Sequence, residues 1–412
     1  MTTARPAVPV STAPDDVEIR LVAGEELLTT SFPLRAYAFA PSPRPANVEA
    51  WRDRLAYADD RDTLVLFEGG ESRATAASVA MTQNVRGRVL PMGGVAGVAT
   101  HPLGRRRGQA TRVLTSLLAL MRDRGQVVSS LVPFRESFYT RLGWASFSGV
   151  RMIRFAPVPL APLLRWDIPG TTTLYSRAEG EAPFRALLER LQPSYHGMSL
   201  FGPGAAAERA ANDAHWVVIL RDGETVTGAL TYEVTDFTGD LIIRAFFPTD
   251  AVSTYGLLRW AALHIDQVSR VQMFLLPGMR PETWIPDLRP EVLGRANAGD
   301  HPTPMGRVVD ITGLTGIGAG DGEVTLRLRD PAAPWNEGVF TFRGEGGTLR
   351  VDPAPGRPAA GDISITALSA LVFTGNDPDE FIPRGWGTVE PSVRDALRSL
   401  FPPADAYLHE DF

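Results

Sequence analysis

Three consecutive arginines and a glycine, Arg105-Arg106-Arg107-Gly108, stand between two patterned segments. On one side Val95 to Thr100 are small and β-branched, as in a buried strand; on the other Val113, Leu114, Leu117, Leu118, Leu120 and Met121 recur at helical spacing. A loop pinned in this way offers backbone N–H groups at the positive end of a helix dipole, equivalent to about half an elementary charge. Gly108 and Ala110 let a ligand approach that backbone, and the guanidinium groups suit phosphate oxygens, so the chemistry is that of a pyrophosphate cradle. It is neither GxxxxGK[ST], since the chain has no lysine, nor GxGxxG. Downstream, Tyr139 lies in the phrase Phe138-Tyr139-Thr-Arg-Leu-Gly143-Trp144.

The spacing Arg105-x-x-Gly108-x-Ala110 resembles the acetyl-CoA loop, Gln/Arg-x-x-Gly-x-Gly/Ala, of the GCN5-related N-acetyltransferases. The Tyr139 phrase resembles the aromatic-Tyr-x-x-x-Gly-aromatic run of the same superfamily, in the expected order. That resemblance implies acetyl-CoA as cosubstrate and no metal. It assigns Val98, Ala99 and Thr100 to the pantetheine and acetyl end, Arg106, Arg107, Gly108, Gln109, Ala110 and Thr111 to the pyrophosphate, and Phe134 and Arg135 to the walls of splayed strands. Tyr139 takes the place of the general acid. The strand before the loop carries no carboxylate to serve as base, and Glu68 and Glu71 read as solvent residues of a hairpin turn.

The positioning elements follow from the rest of the chain. Its 412 residues suggest about two to three domains, and 44% hydrophobic with 21% charged residues is ordinary globular composition. The absence of cysteine excludes disulfides, thiol nucleophiles and thiolate metal sites, and six scattered histidines make zinc an improbable partner. A formal charge of −6 argues against nucleic acid and weakly favours cationic substrates. Residues 1–15, rich in Pro, Ala and Thr, read as a disordered leader with neither signal peptide nor membrane span, and the expected location is the cytoplasm.

Residues 16–150 are expected to form the acetyl-CoA-binding domain: a strand at Val17 to Leu21, helices through Phe39 and from Asn47 to Tyr57, a hairpin around Glu68-Gly-Gly-Glu, then the loop, its helix and a strand ending at Leu131. Residues 151–300 repeat this strand and helix order without an Arg-x-x-Gly loop, as in a degenerate second copy. From residue 301 to 412 short strands, the first at Arg307 to Ile311, and a helix at Ser392 to Phe401 indicate a separate α+β unit reminiscent of sterol carrier domains.

This layout, α/β and α+β with tandem acetyltransferase folds, a sterol-carrier-like unit and a terminal Phe, resembles the enhanced intracellular survival (Eis) family. The resemblance implies a homohexamer, an amine acceptor such as an aminoglycoside or a lysine side chain, and the carboxylate of Phe412 as base. It also implies a substrate pocket with Phe32, Phe39 and Trp51 as aromatics and Asp411 with Glu410 as acids; the Pro-rich segment from Phe39 to Pro45 departs from the family in carrying no acid. The competing expectation is a non-catalytic protein whose C-terminal unit holds an apolar ligand.

Overall fold

The computed structural model describes residues 17–40, 47–147, 149, 151–212, 214–293 and 303–410. The expected leader, the segment 41–45, Asp411 and Phe412 lie outside the described residues.

The first unit runs β1 (Val17–Val22), α1 (Glu26–Thr29), α2 (Ser31–Phe39), α3 (Val48–Leu55), β2 (Arg61–Glu68), β3 (Glu71–Val85), β4 (Arg88–Thr100), α4 (Gln109–Asp123), β5 (Val128–Leu131), α5 (Glu136–Thr140) and β6 (Ala145–Ser146). β2 and β3 form the expected hairpin, turning through Gly69 and Gly70 at φ +61° and +78°. β2 is buried on both faces and so reads as an unbroken apolar run: Leu64 and Leu66 join a core with α4, whereas Val65 and Phe67 join one with α1 and α2. The apolar stripe of α4 supplies Val113, Leu114, Leu117 and Leu118 to the former.

A second unit follows: β7 (Arg151–Phe155), β8 (Thr171–Tyr175), α6 (Arg177–Leu191), β9 (Ser199–Phe201), α7 (Pro203–Asn212), β10 (Trp216–Asp222), β11 (Thr225–Val234), β12 (Asp240–Pro248), α8 (Ala251–Ala262), β13 (Arg270–Leu275) and β14 (Glu291–Leu293). The last comprises β15 (Met305–Val308), β16 (Gly322–Arg329), β17 (Gly338–Glu345), β18 (Thr348–Pro353), β19 (Gly361–Ser364), α9 (Ile365–Thr374), β20 (Gly387–Val389) and α10 (Pro391–Leu400). Among the described residues three sheets result, ordered β1-β2-β3-β4-β5-β15-β6 with β9 on β3, β14-β7-β13-β12-β11-β10-β8, and β18-β17-β16-β19-β20. The first two share one scheme, an antiparallel meander whose last strand is followed by a helix and then a parallel neighbour.

The sequence expectation is departed from at β9, which lies within 151–300 yet pairs with β3 of the first sheet, and at two further places. The strand assigned to the start of the C-terminal unit is β15, which lies in the first sheet, antiparallel to β5 and β6. All four of its residues are buried, and Gly306 leaves room for the Phe373 ring, 2.6 Å from where a Cβ would stand. Local alternation cannot tell which sheet a strand will join. Helix α9, absent from the sequence reading, is buried from Ile365 to Phe373 and has no polar face to reveal a helical period. Among the described residues no helix is long and apolar enough to cross a membrane, and no cluster of metal-ligating side chains occurs.

Candidate active site

β4 pairs with β5 only from Met92 to Gly94, after which the two strands part. Beyond that point β4 continues to Thr100 with β3 alone beside it, and Ala96, Gly97 and Val98 are half-buried after the buried run from Met92 to Val95. The β3–β4 register slips between Thr75 and Ala77, where Gly97 adopts φ +60°, so β4 bulges at the mouth of the splay. From Val95 to Thr100 the edge of β4 that β5 has left is thus without a strand partner among the described residues, and Thr100 O on it accepts from Arg105 Nε at 3.4 Å.

The cleft leads to the arginine loop. A short turn from Pro102 to Gly104, in which Leu103 N–H donates to His101 Nδ1, redirects the chain. Gly108 then opens α4 as its N-cap at φ +78° with no side-chain cap, so the first N–H groups of the helix face outward. A Cβ at Gly108 would meet nothing within 4 Å, whereas one at Gly104 would collide with Gln109 Oε1. The loop is anchored from below. Arg107 donates two bonds to Glu68, at 2.8 and 2.7 Å, and Gln109 Nε2 donates a third at 3.3 Å. Glu68, expected as a solvent residue, therefore orients the loop from the β2–β3 turn. Arg105 stacks over Tyr37 of α2 at 5.6 Å, Arg106 takes φ +60°, and Ala110 and Thr111 form the first turn of α4.

Across the cleft, α5 carries Tyr139, which is 3% exposed. Its ring packs against Phe134, Phe138 and Trp144 at 5.6, 5.0 and 6.1 Å. Burial raises the phenol pKa well above its ordinary value, so Tyr139 stays protonated. Phe134 is 69% exposed and Arg135 is exposed, both at the entry of α5. The glycine of the Tyr139 phrase has a steric reason: Gly143 sits at φ +97°, and a Cβ there would collide with Arg307 Nη1. Arg307, from β15, donates from Nη1 to Leu142 O, lies over the Trp144 ring at 5.3 Å and pairs with Asp330, donating from Nη2 to both carboxylate oxygens at 2.8 and 2.7 Å. Both members are at most 1% exposed, and desolvation pulls the guanidinium pKa down against the opposing pull of Asp330. The C-terminal unit thus supports the helix that bears Tyr139.

On the far side of β4, Phe32 and Trp51 meet edge to face at 5.9 Å within a small apolar cluster. Phe39 stands apart, 66% exposed at the end of α2. The tail reaches this domain through β9. Glu410 accepts from Phe201 N–H, its own N–H donates to Ser199 Oγ at 3.2 Å, and burial pushes its carboxyl pKa up to about 7.

Comparison with known proteins agrees with this geometry. Residues 18–147 match the acetyltransferase (GNAT) domain and residues 314–409 the sterol carrier protein domain. An uncharacterized N-acetyltransferase of Streptomyces avermitilis is 31% identical over 192 residues, 45% of this chain and 44% of the relative. One from Streptomyces griseus is 28% identical over 204 residues, covering 46% and 49%. The chain spans about half the length of these curated relatives. In fold, a GCN5-related N-acetyltransferase from Kribbella flavida superposes with a TM-score of 0.79 at 22% identity, over 96% of this chain and 99% of that one. Eis1 from Mycobacterium abscessus gives 0.76 at 21% identity, over 96% and 100%. The chain therefore carries an acetyltransferase domain of the GNAT type, a second sheet of the same strand order and a C-terminal sterol-carrier-type domain.

Proposed function

We propose that the chain is an acetyl-CoA-dependent N-acetyltransferase of primary amines. The observation that carries this reading is the continuity of the half-open β4 edge with the uncapped N-terminus of α4 at Gly108. Val98, Ala99 and Thr100 would pair with the amides of the cosubstrate, and the N–H groups from Gly108 to Thr111, with Arg106 and Arg107, would hold its pyrophosphate. Acetyl-CoA supplies an activated acetyl thioester. Tyr139, held protonated by burial, donates to the sulfur as it departs. The carboxylate of Phe412 receives the ammonium proton; the anchoring of Glu410 beside β9 supports this by bringing the tail to the first domain.

The division into an N-terminal catalytic domain (16–150), a degenerate copy (151–300) and a sterol-carrier-like domain (301–412) belongs to the same reading, with β15 lent to the first sheet. So do Eis-like membership, a cytoplasmic homohexamer, and an acceptor pocket near Phe32, Phe39, Trp51 and Asp411. A second reading, an apolar ligand in the C-terminal unit without catalysis, is favoured by the sterol carrier match. Calorimetric titration separates the two: acetyl-CoA binds under the first, and binding of a fatty acid or sterol alone sustains the second. Gly108→Val, which fills the space before α4, abolishes the acetyl-CoA heat. Residues added after Phe412 abolish turnover without unfolding if its carboxylate is the base, and leave it equal if not.

A further inference from the structure

Arg35 projects from α2 onto the bulge of β4, where a Cβ at Gly97 would lie 2.7 Å from its Nε and 3.2 Å from its Cζ. Gly97 is thus needed twice, for its φ of +60° and for the guanidinium pressed against it. The group also lies 5.7 Å from the centre of the Phe32 ring. Burial pulls its pKa down to about 10; Arg61 and Arg54 disfavour its charge further, and Glu208 opposes them.

Among the described residues nothing hydrogen-bonds to Arg35 and no carboxylate forms an ion pair with it. Glu208 of α7 is engaged by Arg61 at 3.4 Å and Arg54 at 3.9 Å. Asp60 is turned toward α7, where its Oδ2 accepts from Gly204 and Ala205 N–H. Arg35 is half-buried and its unbonded guanidinium keeps some access to solvent beside the bulge, while Glu208 is held by Arg61 and Arg54, so the anion that completes it can come from a ligand. The bulge Arg35 touches is the end of the β4 cleft remote from the phosphate loop, where an acceptor amine would meet the thioester.

We propose that Arg35 is a specificity-determining residue that binds a carboxylate of the acceptor, so that the substrates are amines bearing a carboxylate, such as free amino acids, rather than polycations. The planar fork of Arg35 matches a carboxylate with two parallel N–H bonds. The inference rests on the acetyltransferase reading. In the step it serves, the acceptor's neutral nitrogen attacks the acetyl carbon. A C–N bond forms and the C–S bond breaks, the nitrogen's proton leaves to the base, and the thiolate takes one from Tyr139.

The test uses pairs of acceptors that differ only by a carboxylate: phenylalanine against phenethylamine, and lysine against cadaverine, with kanamycin as a polycation. For the full-length protein, kcat/KM is expected to be about tenfold or more higher for the carboxylate member, a difference of about 1.4 kcal/mol per tenfold, expressed chiefly in KM. Arg35→Gln removes that advantage and Arg35→Lys restores part of it. Equal or greater kcat/KM for the decarboxylated members or kanamycin, or a preference that persists in Arg35→Gln, overturns the inference. The comparison of pairs on the unaltered protein decides the matter even if the variants fail to fold. Acetyl-CoA binding, measured first by calorimetry, separates the two levels. A protein that binds and transfers acetyl without a carboxylate preference sinks this inference alone. One that does not bind acetyl-CoA sinks the acetyltransferase reading and this inference with it.

Discussion

The first two sheets repeat one topology and differ at the place where a strand hands over to a helix. In the first, β4 reaches α4 through residues 101–108, the N-cap is glycine, and no side chain caps the helix. In the second, β12 reaches α8 through only residues 249–250, and the N-cap Asp250 accepts from Ser253 N–H at 2.7 Å in a reciprocal capping box. The bond from Ser253 N–H is the leading cause of the lowered Asp250 pKa, so a carboxylate already stands where an anion would bind. The strands also part in both sheets, β12 pairing with β13 only from Asp240 to Ile243. There the bulky Phe246 packs against Trp284 at 6.0 Å, where the first sheet has half-buried Ala96, Gly97 and Val98. One topology thus yields a self-satisfied helix end beside an aromatic plug, and an open helix end beside an accessible cleft. Orphan N–H groups, rather than the fold, distinguish the first helix start from the second.

That contrast can be attacked at several points. The largest effect is expected at Tyr139, the proposed proton donor of the first unit. Tyr139→Phe should lower kcat by roughly 100- to 10,000-fold while acetyl-CoA affinity holds; turnover at the original rate would remove the phenol from the mechanism.

Asp330→Ala asks whether the borrowed strand β15 supports the first sheet, since it leaves Arg307 charged and fully buried without its partner. Breaking a buried pair costs on the order of 3–5 kcal/mol, to be read from the denaturation midpoint. A shift of only a few tenths would mean that Arg307 is satisfied by Leu142 O and the Trp144 ring.

Gly108→Asp transplants the cap of the second unit onto the first. A carboxylate at that helix end should weaken acetyl-CoA binding by at least about 100-fold through repulsion of the pyrophosphate. Calorimetry showing comparable affinity would mean that the open helix end is not the phosphate site.

The smallest effect concerns pH. Burial lowers the pKa of His196 to about 4 and of His409 to about 3 from an ordinary 6.5, so both stay neutral in the native protein. Their contribution to stability is present above about pH 6.5 and is lost as the pH falls toward those values. Glu410 runs the other way: raised to about 7, it contributes below about pH 4.5, and that contribution is lost as the pH rises through 7. With two groups against one, thermal midpoints should decline between pH 6.5 and 4.5. His196→Gln, which can still accept from Arg86 N–H and donate to Phe373 O, should flatten that decline. An unchanged slope would show that His196 does not drive it.

Much of this was legible in the residues. The period of α4, the β2–β3 hairpin and the strand before the loop are local signals, each written within one element, and Gly108 and the Tyr139 phrase stand at spacings set by a single turn. What spacing cannot encode is which distant groups come to lie together. Glu68 beneath Arg107, Asp330 behind Arg307, and Arg35 against Gly97 are separated by 39, 23 and 62 positions, the last being 97 − 35. The sheet that β15 joins and the helix α9 escaped because one is completed by strands far upstream and the other is buried on every side and keeps no polar face. The sequence by itself determined where the arginine loop, the helix it opens and the Tyr139 phrase stand. Tertiary packing decided which charges are paired and which are left for a ligand, because pairing depends on distances that only the folded chain establishes.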